Sequence, residues 1–288
     1  KLKDLLGCKK LILTNNGTTA THLLAIALKY KYPHINKIIV PNNVYVAAWN
    51  SFLFDKNYEL IPIDSDLETW NFDISKIEPL VDENTAILVV HNIGNVVDVP
   101  KLKNMFPNTP ILEDNCEGFL GKYGNKYTGT ECFASSISFF GNKTITSGEG
   151  GAFITNDEEV FDYINKIKSQ GQSNEKFIHD VLGYNYRMTN IQAAILYGQL
   201  ETLDDIKGKK QNIFNRYKSN FEKLHNAIKP SNIPKENIIL GLNTFNGEEV
   251  YSSMFPENER VLTFKNWPFV VTNTSYHYAF KPEQDRKS

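Results

Sequence analysis

The chain of 288 residues is long enough for one large domain, or for a large domain with a smaller one. Its 41% hydrophobic and 22% charged residues are ordinary for a soluble globular protein, and its net charge of -2 excludes a strong general attraction to nucleic acid or anionic membranes. The three cysteines lack the spacing of zinc ligands, which argues against a disulfide framework or a metal site and suits a reducing compartment.

Short apolar runs alternate with helical patterns along the first part of the chain. The alternation predicts strands at 11–14, 37–40, 58–63, 86–90 and 110–113. Helices are predicted between them, at 17–30, 44–54, 74–81 and 99–106. This rhythm of strand and helix predicts a mostly parallel sheet that is covered by helices.

Two further β-like stretches follow, at 135–140 and 151–155. Helices are predicted at 157–169, from 191 to about 203 behind Thr189 as the N-cap, and at about 209–224. Beyond Pro230 the periodicity weakens, and Pro, Asn and Gly become frequent. A domain boundary is therefore predicted between 190 and 230.

Membrane and export signals are not evident in the sequence. No apolar run approaches the roughly 18 residues of a membrane span. The N-terminal residues lack the apolar core of a signal peptide. We expect a cytoplasmic protein without membrane contacts.

The letters NNGTTA at 15–20 stand between a predicted strand and a predicted helix. Free backbone N–H groups and the positive end of a helix bind phosphate well, and threonine hydroxyls add donors. An ordinary helix N-cap is the alternative interpretation.

The letters ILEDNCE at 111–117 form an apolar strand that carries two acids to its carboxyl end. Open α/β sheets bind ligands at this end of their strands. Asp114 could pair with a protonated ring nitrogen, cap the next helix or hold a cation.

A lone lysine, Lys143, occurs in a glycine-rich and aromatic segment, SFFGNKTITSGEGG at 138–151. A lysine amine can form a Schiff base with an aldehyde cofactor. A solvated lysine in a turn is the alternative. The spacing of a Walker phosphate loop is absent.

A polar and aromatic segment, GYNYRMTNIQAA at 183–194, precedes a predicted helix. A packed loop with an N-cap is the alternative to a functional role. In order along the chain, these four segments resemble the DegT/StrS-type sugar aminotransferases, enzymes of fold type I that depend on pyridoxal 5'-phosphate (PLP). The segments 41–50 and HNIG at 91–94 match as well.

The resemblance covers roughly residues 5–225 and is closest to the perosamine and viosamine synthase branch. It implies an α/β fold with a mostly parallel seven-stranded sheet between helices. The large PLP-binding domain is expected at 1–205 and a smaller C-terminal domain at 206–288. Family members run further at both ends, so the small domain is expected to be truncated or divergent.

The resemblance also implies roles for individual residues. Lys143 matches the Schiff-base lysine that moves a proton between the amino acid's Cα and the cofactor's C4', and Asp114 matches the carboxylate that pairs with the pyridine nitrogen. Other implied cofactor contacts are Gly17, Thr18, Thr19 and Ser138 at the phosphate, Tyr45 stacked on the ring, Glu117 beside the ring and its phenolic oxygen, and Asn185 from a neighbouring subunit.

Glu117 occupies a position where the family often has Gln or His. His91 is a further candidate, with a core histidine as the alternative. Arg187 adjoins Asn185 without an assigned role.

The implied reaction is amino transfer in a homodimer with shared active sites. An amino acid, commonly glutamate, converts PLP to pyridoxamine 5'-phosphate, and carbon 4 of a nucleotide-linked 4-keto-6-deoxy sugar then takes the amino group. A related dehydratase carries His in place of the lysine, so Lys143 favours amino transfer. The alternatives are a PLP-dependent dehydratase or epimerase, and a non-catalytic PLP-fold binding protein. The sequence does not select among UDP, GDP and dTDP carriers.

Overall fold

The computed structural model describes residues 1–66 and 69–228, and a seven-stranded sheet forms its centre. The strands of this sheet are β1 (Lys10–Thr14), β2 (Lys37–Pro41), β3 (Glu59–Ile63), β4 (Thr85–Val90), β5 (Ile111–Asp114), β8 (Ala134–Ser138) and β9 (Gly151–Thr155). Between β5 and β8, the strands β6 (Lys122–Tyr123) and β7 (Lys126–Tyr127) form a separate hairpin. The sheet order is β1-β9-β8-β5-β4-β2-β3, and only β9 pairs antiparallel with its neighbours. The predicted mostly parallel seven-stranded sheet is confirmed.

Several helices pack against this sheet. The α-helices of the described residues are α1 (Leu2–Leu6), α2 (Gly17–Lys31), α3 (Ala47–Leu53), α4 (Val99–Met105), α5 (Glu158–Ile167), α6 (Asn190–Glu201) and α7 (Leu203–Ile228). Short 3-10 turns occur at Ile74–Lys76, Glu78–Leu80 and Asn92–Gly94. Within the part of the chain that the structure describes, no helix combines the length and apolarity needed to cross a membrane.

The core lies on both faces of the sheet, which explains the continuous apolar run of β4. All six residues of β4 are buried. Leu88 packs in one cluster with Leu24 of α2, whereas Ile87 packs on the opposite face with Leu102 of α4. Because side chains alternate across a strand, a strand covered on both faces needs apolar residues at every position.

Two predicted helices differ from the structure. The segment 74–81 was predicted as one helix but consists of two 3-10 turns, because Pro79 lacks the N–H that a continuous helix would use there. The helix predicted at 44–54 begins only at Ala47, after a turn in which Ala48 N–H donates to Tyr45 O at 3.0 Å.

The N-terminus of α6 agrees with the prediction in detail. Thr189 is the N-cap, and Gln192 completes a capping box in which each side chain bonds the other residue's backbone N–H. The predicted domains 1–205 and 206–288 stay predictions, since residues 229–288 lie outside the described residues.

Several strands end at the same edge of the sheet. In the register, Thr14 and Ser138 both lie opposite Gly151, and Asp114 lies beside Ser136 and Val90. The carboxyl ends of β1, β8, β5 and β4 therefore face the same way. This is the edge at which α/β sheets bind ligands.

Candidate active site

Asp114 ends β5 with its side chain buried at this edge, only 6% exposed. The backbone N–H of Cys116 donates to Asp114 Oδ1 at 3.1 Å. Burial raises the pKa of the Asp114 carboxyl, and the nearby Lys143 ammonium acts in the opposite direction. Asp114 is thus a buried acid whose charged form needs a cationic partner.

Lys143 lies in the turn after β8, where its backbone N–H donates to Phe140 O at 3.0 Å. Its Nζ is 3.6 Å from Glu117 Oε1, and the two side chains are 21% and 19% exposed. The second oxygen of Glu117, Oε2, accepts from the backbone N–H of Ile93 at 2.8 Å. Lys143 therefore lies in a sheltered position beside Glu117 rather than in bulk water.

The first turn of α2 packs against the end of β8. Asn16 is the N-cap, and its side chain accepts from Thr19 N–H at 2.9 Å. A Cβ atom built on Gly17 would lie 2.7 Å from Ser138 Cβ, so only glycine permits this approach. The backbone N–H groups of Gly17 and Thr18 have no acceptor inside the helix, which makes this turn suitable for an anion.

The hydroxyl of Thr19 forms hydrogen bonds within the turn itself. Thr19 Oγ1 is 2.7 Å from Asn15 Oδ1 and 2.9 Å from Asn16 O, so its proton is directed at protein acceptors. The structure thus brings Gly17 against Ser138, with Thr18 next in the same turn, and roles of these residues toward a phosphate stay predictions. A direct contact between Thr19 and a phosphate stays a prediction.

We expect Gly17→Ala to impair both ligand binding at this site and the stability of the fold. The added methyl group must push α2 away from Ser138, which should cost about 1–3 kcal/mol of stability. It should also weaken phosphate or PLP binding about tenfold, because the N–H groups move. Thermal unfolding and ligand titration measure the two effects. Gly198→Ala is the control, since a Cβ at Gly198 meets no atom within 4 Å; equal behaviour of the two variants would contradict the prediction.

Tyr45 and Asn185 are exposed, in the segments where the sequence placed them. Tyr45 precedes α3 and is 49% exposed. Asn185 Oδ1 accepts from Arg187 Nε at 3.3 Å. The segment of Asn185 is tied to the phosphate turn, since Asn15 N–H donates to Tyr186 O at 3.0 Å. The roles of Tyr45 and Asn185 toward a cofactor stay predictions.

Glu113 does not share the site with Asp114, although both acids were expected at the ligand-binding edge. Glu113 is fully buried and accepts from Tyr123 at 3.0 Å and from Gly129 N–H at 2.7 Å. His91 Nε2 lies 2.8 Å from Glu113 Oε2, and His91 Nδ1 accepts from Val97 N–H at 3.1 Å. The ring proton is therefore on Nε2 and is donated to Glu113, so His91 is a core histidine.

We expect Glu113→Gln to destabilise the protein by about 2–4 kcal/mol. The Gln amide would turn an NH2 group toward a site where His91, Tyr123 and Gly129 all donate. Chemical denaturation measures the loss, with the exposed Glu83→Gln as the control. A loss below 1 kcal/mol would mean that this network contributes little to stability.

A model of the DegT/DnrJ/EryC1/StrS aminotransferase family matches residues 1–261. The chain belongs to this family. The resemblance inferred from the motifs is thereby confirmed.

Individual members of the family give the extent of the similarity. GDP-perosamine synthase of Escherichia coli O157:H7 is 41% identical over 225 residues, which are 75% of this chain and 60% of that protein. Among solved structures, the Helicobacter pylori aminotransferase PseC, involved in the biosynthesis of pseudoaminic acid, has a TM-score of 0.64 at 29% identity, covering 70% of this chain and 56% of that one. A GDP-4-keto-6-deoxymannose-3-dehydratase with a trapped PLP-glutamate geminal diamine has a TM-score of 0.65 at 29% identity, covering 70% and 58%. The chain spans about 60% of the length of the curated relatives it matches.

Sequence reasoning missed two contributors to this family member's site. Ile93 donates to Glu117 from a left-handed backbone conformation, for which a β-branched residue carries no sequence signal. Gln192 Nε2 donates to Asn15 O at 3.0 Å, which connects the N-cap of α6 to the phosphate turn. The sequence did contain a signal for the separation of Glu113 from Asp114, because the side chains of adjacent strand residues point to opposite faces of a sheet.

Proposed function

We propose that the chain is a PLP-dependent aminotransferase. It transfers an amino group from an amino acid, glutamate, to carbon 4 of a nucleotide-linked 4-keto-6-deoxy sugar. The observation that carries this proposal is the sheltered Lys143 amine, which lies in the electrostatic range of the buried Asp114 carboxyl.

The residues present fit PLP. A buried carboxyl whose pKa is raised by burial is stabilised in its charged form by a cation, and a protonated pyridine nitrogen would be that cation for Asp114. The N–H groups of Gly17 and Thr18 and the hydroxyl of Ser138 suit a phosphate. When bound, PLP supplies an aldehyde for the lysine amine and a ring that accepts electrons from the amino acid's Cα.

The chain's own residues would divide the remaining work. Asp114 is buried, so its interaction with a cation would be stronger than it would be in solvent. With the cofactor bound, Lys143 Nζ would be the base that takes up the proton from the Cα of the donor amino acid. The first turn of α2 binds and orients the phosphate end.

The family relatives support the substrate class. The name of the E. coli relative indicates GDP-perosamine as its product, and the dehydratase structure traps glutamate with PLP. That dehydratase has the same fold, so the fold does not separate amino transfer from dehydration. The presence of Lys143 is what favours amino transfer here. By the motif match, the dehydratase has His at this position.

We further propose that the enzyme is a homodimer with shared active sites. The segment from Phe177 to Ile191 exposes large apolar side chains: Phe177 is 77%, Leu182 87% and Ile191 75% exposed. A second copy of the chain that covers this segment would also bring its Asn185 near a neighbouring phosphate. Sedimentation analysis, alone and with Leu182→Glu, measures the assembly.

The decisive experiment is a screen of donors and acceptors. Glutamate is supplied with 4-keto-6-deoxy sugars on UDP, GDP and dTDP, and both products are identified by mass spectrometry. We expect equal amounts of 2-oxoglutarate and amino sugar with one carrier. A deoxygenated keto sugar would indicate a dehydratase, and a protein that takes up no PLP would indicate a non-catalytic member.

A further inference from the structure

The turn His91–Gly94 has a strained backbone beside the candidate active site. Ile93 has a φ of 57°, a left-handed conformation that a β-branched residue rarely adopts. The Ile93 side chain is 44% exposed, so core packing does not account for the strain. The backbone N–H of Ile93, however, donates to Glu117 Oε2 at 2.8 Å.

Both residues that precede Ile93 are anchored by the surrounding structure. The His91 ring is bonded at both nitrogens, to Val97 N–H and to the Glu113 carboxylate. Asn92 N–H donates to Asn71 Oδ1 at 3.1 Å, and the Asn92 side chain donates to a backbone oxygen at 3.1 Å. A strained residue persists only where its neighbours hold it, and such residues concentrate at functional sites.

Glu117 uses its two oxygens for different partners. Oε2 is held by Ile93, and Oε1 lies 3.6 Å from Lys143 Nζ. We propose that the turn His91–Gly94 is a positioning device whose Ile93 amide holds the Glu117 carboxylate against Lys143, which makes Glu117 the fixed counter-anion of that amine. The inference rests on the proposed function only in taking Lys143 as the reactive lysine.

This arrangement gives Glu117 a role that an uncharged residue could not have. The Glu117 carboxylate lies 3.6 Å from the Lys143 ammonium, within ion-pair distance, whereas Gln at the same position would retain the hydrogen bond from Ile93 without the charge. Because Ile93 restrains the carboxylate, its charge stays beside Lys143 instead of rotating toward solvent. Glu117 is thus a positioning residue whose carboxylate holds the Lys143 amine in an ion pair.

The test uses the cofactor-free protein and follows the acylation of Lys143 by acetic anhydride, resolved by peptide mass spectrometry. An amine that is held in an ion pair reacts more slowly than one that is released from it. We expect Glu117→Gln to raise the labelling rate of Lys143 at pH 8 about fivefold, allowing for partial solvent screening. Glu149→Gln is the matched control, because Glu149 is an exposed acid of the same loop as Lys143. Its rate should equal that of the unmodified chain.

A second measurement tests the turn. Amide hydrogen exchange of the peptide containing Ile93 should accelerate in Glu117→Ala, because the acceptor of this N–H is removed. If Glu117→Gln does not fold, Glu117→Asp replaces it, since the shorter acid cannot reach both partners and should also raise the labelling rate. An unchanged rate of Lys143 labelling in a folded Glu117 variant, or unchanged exchange at Ile93, overturns the proposal.

The proposed function fails by a different observation. Uptake of PLP by the unmodified chain is followed separately, as a visible absorption band that borohydride abolishes. If no band forms, the aminotransferase proposal is lost, while the labelling result on the cofactor-free chain still decides the role of Glu117.

Discussion

Replacing Lys143 by Ala is expected to lower amino transfer at least about a thousandfold, the largest effect of any single substitution in this chain. The methyl group of Ala can neither bond the aldehyde of PLP nor carry the proton that leaves the amino acid's Cα. The fold should survive, because Lys143 lies in a turn and its side chain is 21% exposed. Turnover with glutamate and the visible band of bound PLP are the two measurements.

Lys122→Ala is the control for Lys143→Ala. Lys122 lies in the β6–β7 hairpin, and its ammonium stacks over the Tyr127 ring at 4.6 Å. It should keep both the activity and the borohydride-sensitive band. A Lys143→Ala protein that retains this band would show that another amine holds the cofactor.

Asp114→Asn is expected to lower kcat about a hundredfold or more while PLP still binds. Asn has nearly the same shape as Asp, but it carries no charge to keep the ring nitrogen protonated. The bond from Cys116 N–H can remain, since the Asn side-chain oxygen also accepts. Steady-state kinetics and the titration of the cofactor spectrum with pH test this. An Asn variant with unchanged kcat would remove Asp114 from the reaction.

The same substitution should have the opposite effect on the stability of the cofactor-free protein. Burial raises the pKa of Asp114 in the folded state above its unfolded value. Folding therefore favours the protonated acid, and this contribution to stability is lost as the pH rises from the unfolded pKa through the folded pKa. Asp114→Asn should be more stable than the unmodified chain above that range and similar to it below.

The free energy of unfolding, measured against pH for both proteins without PLP, tests this sign. Glu113→Gln provides the contrast, because Glu113 is surrounded by donors and Asp114 is not. Replacing Glu113 by its amide should thus lower the stability of the protein. Replacing Asp114, its neighbour in sequence, by its amide should raise it. A loss of stability in Asp114→Asn at high pH would contradict the assignment of Asp114 as an acid whose burial outweighs its favourable contacts.

Many elements of the fold could be predicted from local patterns. Strand β9 was predicted with its bounds, and α2 to within one residue, because apolar periodicity and N-cap residues are local properties. The β6–β7 hairpin was missed, since two strands of two residues are too short for any period to be visible. The helix predicted at 74–81 failed at Pro79, where a missing N–H outweighed the apolar spacing.

The sequence by itself determined the family and the alternation of strand and helix, and it predicted Lys143 and Asp114 as the residues for chemistry. These depend on motifs and periods that are contained in short segments. Only the tertiary structure decided which acid faces Lys143. Glu113 is bound by His91, Tyr123 and Gly129, whereas Glu117 is turned toward Lys143 by the amide of Ile93. Such contacts join residues that are distant in sequence, and their energies depend on burial and backbone angles that no local pattern contains.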